Sequence, residues 1–359
     1  MSADASAIGI LYIGSSSVTA AACEGDNVTA RAKSPLSGDA RLAINTTIDE
    51  IETEINKRID EVIVITSEPI KSYLAQTTIK FRRAREVTSL DTYRAIRKVK
   101  MKDIIGKDIP LHIIPIHYSA QIGEVADGVS AALHIVAMPE SLRAKICLLA
   151  RGANMEPIKI ISAAFAEGKG QEVKDGAIID IGAESVRVGI FAKGRFTYSF
   201  CIDIGANSAI EALVDSKNVT WDDAEALVLK YGAKAPSGLD FTTQVSIDVA
   251  GMGETVIPKA DILMPINSAY SELYRLVCGH LEEAQGGAFK KFLKNTIITG
   301  SGSKISGAQD IFGARLEESK KTDGAAMLRP RTENIGETLR QGLLETSKKI
   351  IQKTRRQAK

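Results

Sequence analysis

The chain has 359 residues, 44% of them hydrophobic and 25% charged, with a formal net charge of +2. That is the composition of a globular protein of about two domains, with no global positive field to argue for nucleic acid. Four scattered cysteines (Cys23, Cys147, Cys201, Cys278) and four unclustered histidines (His112, His117, His134, His280) exclude a disulfide framework and a zinc-ligand spacing. No run approaches the ~18 apolar residues of a membrane span and no basic leader precedes Asp4, so a cytoplasmic protein is expected.

In chain order, residues 8–11 read as an apolar strand and 18–23 as a second β-prone run. Helical spacing of Ile48, Ile51, Ile55 and Ile59 predicts a helix over 46–59, and 61–66 is a buried strand. The block 76–158 has a separate character: a strand at 76–81, a helix at 91–101 started by Thr88 and Ser89, and strands at 111–118 and 129–138. His112 and His134 fall in these strands, where a hydrogen-bonded structural role is expected. A helix opened by Pro139 runs to about Arg151, and a strand follows at 158–161. The second half restarts with strands around 176–200 and a helix at 206–214. Thr220 with Asp223 caps a helix over 221–231, closed by Gly232, with Trp221 expected to pack as an N-terminal staple. Strands at 242–249 and 254–258 suggest a small outlying lobe, and 260–294 is helical with a break at Gly286 and Gly287. The alternation of strands and helices argues for an α/β fold.

One turn occurs twice. Tyr12-Ile13-Gly14-Ser15-Ser16-Ser17-Val18 is echoed by Asp180-Ile181-Gly182-Ala183-Glu184-Ser185-Val186, 168 positions further on. Each copy joins two β-prone runs. Glycine at the bend lets backbone approach a ligand closely, and successive N–H groups in a tight turn can hold an anion. Two such hairpins facing one cleft would clamp a polyphosphate. A third element, the strand 295–299 running into Gly300-Ser301-Gly302-Ser303, offers bare backbone against which a base or ribose can rest.

These segments resemble the actin-like ATPases, and within them the FtsA family of bacterial cell-division proteins. The hairpins are similar to that superfamily's two phosphate motifs, and Thr299-Gly300-Ser301-Gly302 to its adenosine motif. Further likeness to FtsA lies in Ile70-Lys71-Ser72-Tyr73, Arg85-Glu86-Val87-Thr88, His112-Ile113-Ile114-Pro115, His134-Ile135-Val136, Gly205-Ala206-Asn207, Asp222-Asp223-Ala224-Glu225 and Lys230-Tyr231-Gly232. PilM-type pilus-assembly proteins share the insertion and remain an alternative; a phosphotransfer enzyme such as a sugar kinase is a third reading.

The resemblance implies a duplicated, ribonuclease H-like fold of two lobes around a nucleotide cleft. The first lobe would comprise 1–75, 159–175 and a closing helix at 333–345, interrupted by an inserted subdomain at 76–158. The second would comprise 176–214 and 291–332, with an outlying subdomain at 215–290. It implies ATP or ADP with magnesium, held by Gly14, Ser15, Ser16, Ser17, Asp180, Gly182, Ala183, Ser185, Gly205, Asn207, Glu225, Gly300, Ser301, Gly302 and Ser303. Asp180 would reach the metal and is the one candidate catalytic group. Departures from the family pattern accompany this: Tyr12 stands where the family has aspartate, Ala183, Glu184 and Arg187 replace glycine, glycine and aspartate, and Val228 replaces a lysine. Weak turnover at most is therefore expected. The implied partners are further copies of the chain in a head-to-tail filament, FtsZ, inner-membrane division proteins, and anionic lipid through the basic tail (Lys348, Lys349, Lys353, Arg355, Arg356, Lys359). The implied location is the cytoplasmic face of the inner membrane.

Overall fold

The computed structural model describes residues 7–14, 16–36, 38–66, 70–233, 241–285, 289–293 and 295–327. Ser15, the expected closing helix at 333–345 and the basic tail lie outside the described residues.

Two five-stranded sheets carry the fold. The first lobe is built on β1 (Ile8–Ile13), β2 (Ser17–Glu24), β3 (Asn27–Pro35), β4 (Glu61–Thr66) and, after an insertion, β8 (Glu156–Ser162). Its strand order is β3-β2-β1-β4-β8, with the first pairs antiparallel and β1, β4 and β8 parallel. The second lobe repeats the plan with β9 (Gly176–Ile181), β10 (Val186–Ala192), β11 (Arg195–Ile202), β14 (Thr296–Thr299) and β15 (Arg315–Leu316), ordered β11-β10-β9-β14-β15. Register completes the duplication: Ile13 pairs with Val18, and Ile181 with Val186.

Helix α1 (Ala40–Ile55) begins six residues earlier than its isoleucine spacing predicts, because the Asp39 carboxylate accepts from Arg41 N at 2.8 Å and caps it. It buries Ile44, Ile48 and Ile51 against the first sheet. The insertion comprises β5 (Lys71–Glu86), α2 (Ser89–Arg97), α3 (Met101–Ile105), β6 (Ile109–Tyr118) and β7 (Val125–Met138), forming a sheet of order β5-β7-β6. The next helix, α4 (Glu140–Gly152), returns to the first lobe, where Ile146 and Ala150 share one apolar cluster with Ile44, Ile48 and Val64. The inserted block is therefore shorter than 76–158: its own sheet begins at Lys71 and ends at Met138.

Linking helix α5 (Ala163–Gly170) leads into the second lobe. There α6 (Asn207–Lys217), α7 (Trp221–Tyr231), α8 (Ala260–Gln285), α9 (Phe289–Leu293) and α10 (Ala308–Phe312) surround the second sheet, with a hairpin of β12 (Gln244–Val249) and β13 (Gly253–Pro258) at the periphery. Ile210, Val228, Ile247, Ile266, Tyr270 and Ile298 belong to a single cluster, so the expected outlying subdomain shares the second lobe's core. Trp221 is not the packed staple expected: its residue is 43% exposed. Finally α11 (Lys321–Met327) packs on α5 and on β1 to β4. The chain thus re-enters the first lobe before residue 332, where the second lobe was expected to end. A further cluster, with Ile10 and Ile63 from one lobe, Phe165 from α5, and Ile178, Phe196 and Ile297 from the other, joins the lobes at their base.

Candidate functional site

Both glycine turns project from equivalent strand ends and close in the same way: Gly14 N donates to Ser17 O, and Gly182 N to Ser185 O, each at 2.9 Å. Ser16 O accepts from Leu36 N, which ties the first turn to the end of β3. The second turn docks on the start of α6, where Ala206 N donates to Gly182 O and Asn207 N to Ala183 O. Gly205 permits this approach, since a Cβ there would lie 2.4 Å from Ala183 O. The N–H groups of Ala183 and Glu184 have no partner among the described residues.

The Gly300–Ser303 turn caps the end of β9. Gly300 has φ +94°, and a Cβ would stand 2.4 Å from Ile181 O and 2.6 Å from Asp180 Oδ1, so no other residue fits. Ser303 Oγ donates to Gly300 O, and Tyr270 Oη donates to Gly302 O at 2.8 Å. Gly182, Ala183, Ser185, Gly205, Asn207, Gly300, Ser301, Gly302 and Ser303 thus gather around the end of β9. Gly14, Ser16 and Ser17 come from the first lobe's matching end. Glu225 is exposed on α7, and Val228, in place of the family's lysine, is buried in the core.

A cavity of about 530 Å³ lies between the turns, lined by Gly14, Thr66, Lys145, Glu184, Ser185, Arg187 and Asp203 with an apolar wall from β1, β4, α1 and α4. Of the expected binding residues Gly14 and Ser185 line it; Ser16, Ser17, Asp180, Gly182, Ala183, Gly205, Asn207, Glu225, Gly300, Ser301, Gly302 and Ser303 do not. The fully buried Thr299 hydroxyl, in register with Asp180, has no hydrogen-bond partner among the described residues.

Asp180 itself is committed. Lys321 Nζ donates to its Oδ1 at 2.9 Å and Arg187 Nη1 to its Oδ2 at 3.3 Å. Lys321 is buried, reaches Glu167 Oε2 at 3.6 Å, and lies 4.9 Å from the centroid of the Tyr12 ring. Glu167, fully buried on α5, also accepts from Ser319 Oγ, Lys320 N and Gln171 Nε2. Burial alone would raise the Asp180 carboxyl, but Lys321 and Arg187 outweigh it and hold it below the usual carboxylate range. Burial likewise opposes the charge on Lys321, yet Asp180, Tyr12 and Glu167 keep its ammonium well above its ordinary value. The cluster is two carboxylates neutralised by two cations.

Magnesium does not fit this arrangement. The ion takes oxygen ligands from one or two carboxylates and is repelled by neighbouring cations. Here both Asp180 oxygens are spent on an ammonium and a guanidinium, and Tyr12 withholds the second acid. Among the described residues no group of three or more metal-ligating side chains exists. In the structure Asp180 is an internal ion-pair partner of Lys321 and Arg187. A nucleotide without its metal fits better, since the second turn keeps N–H donors that have no partner among the described residues. Sequence reading overlooked Lys321 and Glu167: Lys321 sits in a polar stretch with no periodicity, and Glu167 in a glycine-rich helix that gives no sign of burial.

No family model matches the chain. Among curated proteins it is similar to the cell division protein FtsA of Agrobacterium fabrum (strain C58), 19% identical over 283 residues, 74% of this chain and 63% of that protein. The FtsA of Buchnera aphidicola subsp. Baizongia pistaciae is 23% identical over 241 residues, 61% of this chain and 57% of that protein. The chain thus spans less than two thirds of the length of these relatives. Among solved structures, a chain of the PilM-PilN type IV pilus biogenesis complex matches with TM-score 0.59 at 17% identity, over 88% of this chain and 89% of that one. MreB 5 of Spiroplasma citri bound to AMPPNP matches with TM-score 0.52 at 13% identity, over 96% of this chain and 99% of that one.

The fold is actin-like.

The resemblance to FtsA read from the motifs is borne out by these relatives, as that of a divergent sequence. On the actin-like frame the insertion leaves at the end of β4 and rejoins at α4, and the cleft lies where the two sheets' turns meet. No helix among the described residues is long and apolar enough to cross a membrane.

Proposed function

We propose that this chain is a divergent FtsA-type adaptor that acts in cell division, binds adenine nucleotide between its lobes and does not turn it over briskly. The observation that carries the reading is the ion cluster at Asp180: the position from which the family would hold a metal is filled by Lys321 and Arg187. Phosphoryl transfer depends on a metal that neutralises developing charge and on a group that orients the attacking water. With Asp180 tied down, this chain's residues can bind and orient phosphates through turn N–H groups and Arg187. Head-to-tail self-assembly, attachment to FtsZ through the second lobe's outer face, and a position at the cytoplasmic face of the inner membrane belong to the same reading. They are supported by the FtsA relatives and the actin-like fold.

Calorimetric titration with ATP, in EDTA and in magnesium, tests the nucleotide part. Binding of similar strength in both is expected, with turnover below about one per minute, roughly 0.02 s⁻¹ and a barrier near 20 kcal/mol. Strict dependence on magnesium, or faster hydrolysis, contradicts it. Co-sedimentation with FtsZ tests the adaptor part; capture of a pilus inner-membrane peptide in its place would move the chain to the PilM-like reading.

A further inference from the structure

Residues 80–107 contain ten basic and three acidic side chains, in a chain whose formal net charge is only +2. The basic groups are Lys80, Arg82, Arg83, Arg85, Arg94, Arg97, Lys98, Lys100, Lys102 and Lys107, and all are exposed. They lie on the insertion, and none of them lines the cavity between the turns. Arg82 and Arg83 owe their placement to one irregularity. Pairing of β5 with β7 jumps from Lys80–Gly128 to Arg85–Ala126, so the segment 81–84 bulges out of the sheet.

The bulge is braced. Arg85 makes a two-pronged bridge to Asp91, at 2.7 and 2.8 Å, and its guanidinium lies 3.8 Å from the centroid of the Phe81 ring. Asp91 also closes a capping box with Thr88 at the start of α2. Arg85 is thereby consumed in holding the shape. Lys80, Arg82, Arg83 and Arg94 line an open concavity of about 760 Å³ and have no partner among the described residues. Beside the bulge, Gly123 N donates to Val87 O and Val87 N to Glu124 O, which sets the loop before β7 against the same edge. Ile122 in that loop and Val125 at the start of β7 are exposed aliphatic side chains, at 64% and 69%. Glu86 and Glu124 flank it.

We propose that this face of the insertion is a docking surface for an anionic phospholipid bilayer. Unpaired arginines over a concavity suit phosphodiester headgroups, which guanidinium binds in forked geometry. Exposed aliphatics next to cations suit the headgroup–acyl boundary. Nucleic acid is the less favoured polyanion: single strands are held by stacking on successive aromatic faces, whereas here Arg85 covers the Phe81 face and, among the described residues, Tyr93 leaves a single exposed tyrosine. The surface is distant in sequence from the basic tail and would act with it as a second point of attachment.

The test uses the full chain and vesicles of phosphatidylglycerol with phosphatidylcholine. Arg82→Gln, Arg83→Gln and Arg94→Gln together are expected to weaken partitioning about a hundredfold while leaving the thermal midpoint unchanged, since all three are exposed and unpaired. In a second measurement Trp221→Phe removes the native indole and Ile122→Trp reports on the loop; its emission is expected to shift to the blue with anionic vesicles only. Raising salt from about 0.1 M to about 1 M shortens the Debye length from ~10 to ~3 Å and is expected to release the protein. Undiminished partitioning of the triple variant or an unshifted Trp emission would each overturn the proposal. So would stronger binding to single-stranded DNA than to vesicles, or equal competition by inorganic phosphate.

Discussion

Lys321 lies between two carboxylates from different elements, Asp180 on β9 and Glu167 on α5, and the Arg187 guanidinium closes the set. Removing the ammonium leaves two buried acids short of a counter-ion, a defect that costs about 3–5 kcal/mol. Lys321→Met should therefore lower the denaturation midpoint strongly. Lys321→Met with Asp180→Asn should recover part of the loss, because it removes one of the uncompensated charges. If denaturant unfolding shows the two effects adding without interaction, the cluster is not a unit. The same geometry bears on Tyr12. An added carboxylate in Tyr12→Asp would meet Lys321 first, so magnesium should gain no influence on nucleotide affinity; a metal-dependent gain by calorimetry would show that the cation set can be displaced. From sequence, the loss of the acid at Tyr12 was legible and weak turnover followed from it. The substitute was not, because ion pairing between residues 141 positions apart leaves no local pattern.

Linking helix α5 owes its packing to missing side chains. A Cβ on Gly168 would sit 1.9 Å from Phe191 Cζ, and one on Gly170 would sit 2.1 Å from Lys320 O. Gly168→Ala should destabilise the protein by about 1–3 kcal/mol in denaturant unfolding, although alanine is the better helix former. An unchanged or raised midpoint would mean that Phe191 yields without strain. The insertion is anchored by two buried imidazoles. His112 Nε2 accepts from Ser162 N, and His134 Nδ1 lies 3.0 Å from Phe196 O, which can only accept, so His134 Nε2 takes the proton of the Ser72 hydroxyl. His112 accepts there and so needs a neutral ring, and burial keeps His134 neutral as well. Burial pushes His112 down to about 3 and His134 to about 4, against an unfolded value near 6.5. The unfolded chain therefore binds protons that the folded one refuses, and stability should fall as pH drops from about 6.5 towards 4 and then 3. Thermal unfolding at pH 7 and pH 5 checks the sign; equal midpoints would contradict it. The structural role expected for these histidines was readable from their strand setting. Element ends were less so: α1 starts early on an aspartate cap, and α4 was assigned to the insertion because nothing in an amphipathic pattern says which sheet its apolar face will meet.

Across the whole molecule the duplicated turn was the most legible feature, since a short motif repeated 168 positions apart survives as matched register in two sheets of one strand order. Lobe contacts were illegible, because they arise between surfaces that only folding brings together. Those contacts make a prediction of their own. Ile10, Phe165, Phe196 and Ile297 share a cluster that spans both lobes, so heat should unfold them in one cooperative transition. Two separate calorimetric peaks would show that the lobes are independent. In assemblies whose subunits cleave a bound triphosphate, hydrolysis acts as a timer that marks each subunit's age. On the proposed reading, with Asp180 held by Lys321 and Arg187 and turnover weak, a subunit of this chain would carry no such clock. If the chain assembles as proposed, its polymers would answer to how many copies are present and not to how long ago each one joined, so filaments left in ATP should be as durable after an hour as when freshly formed.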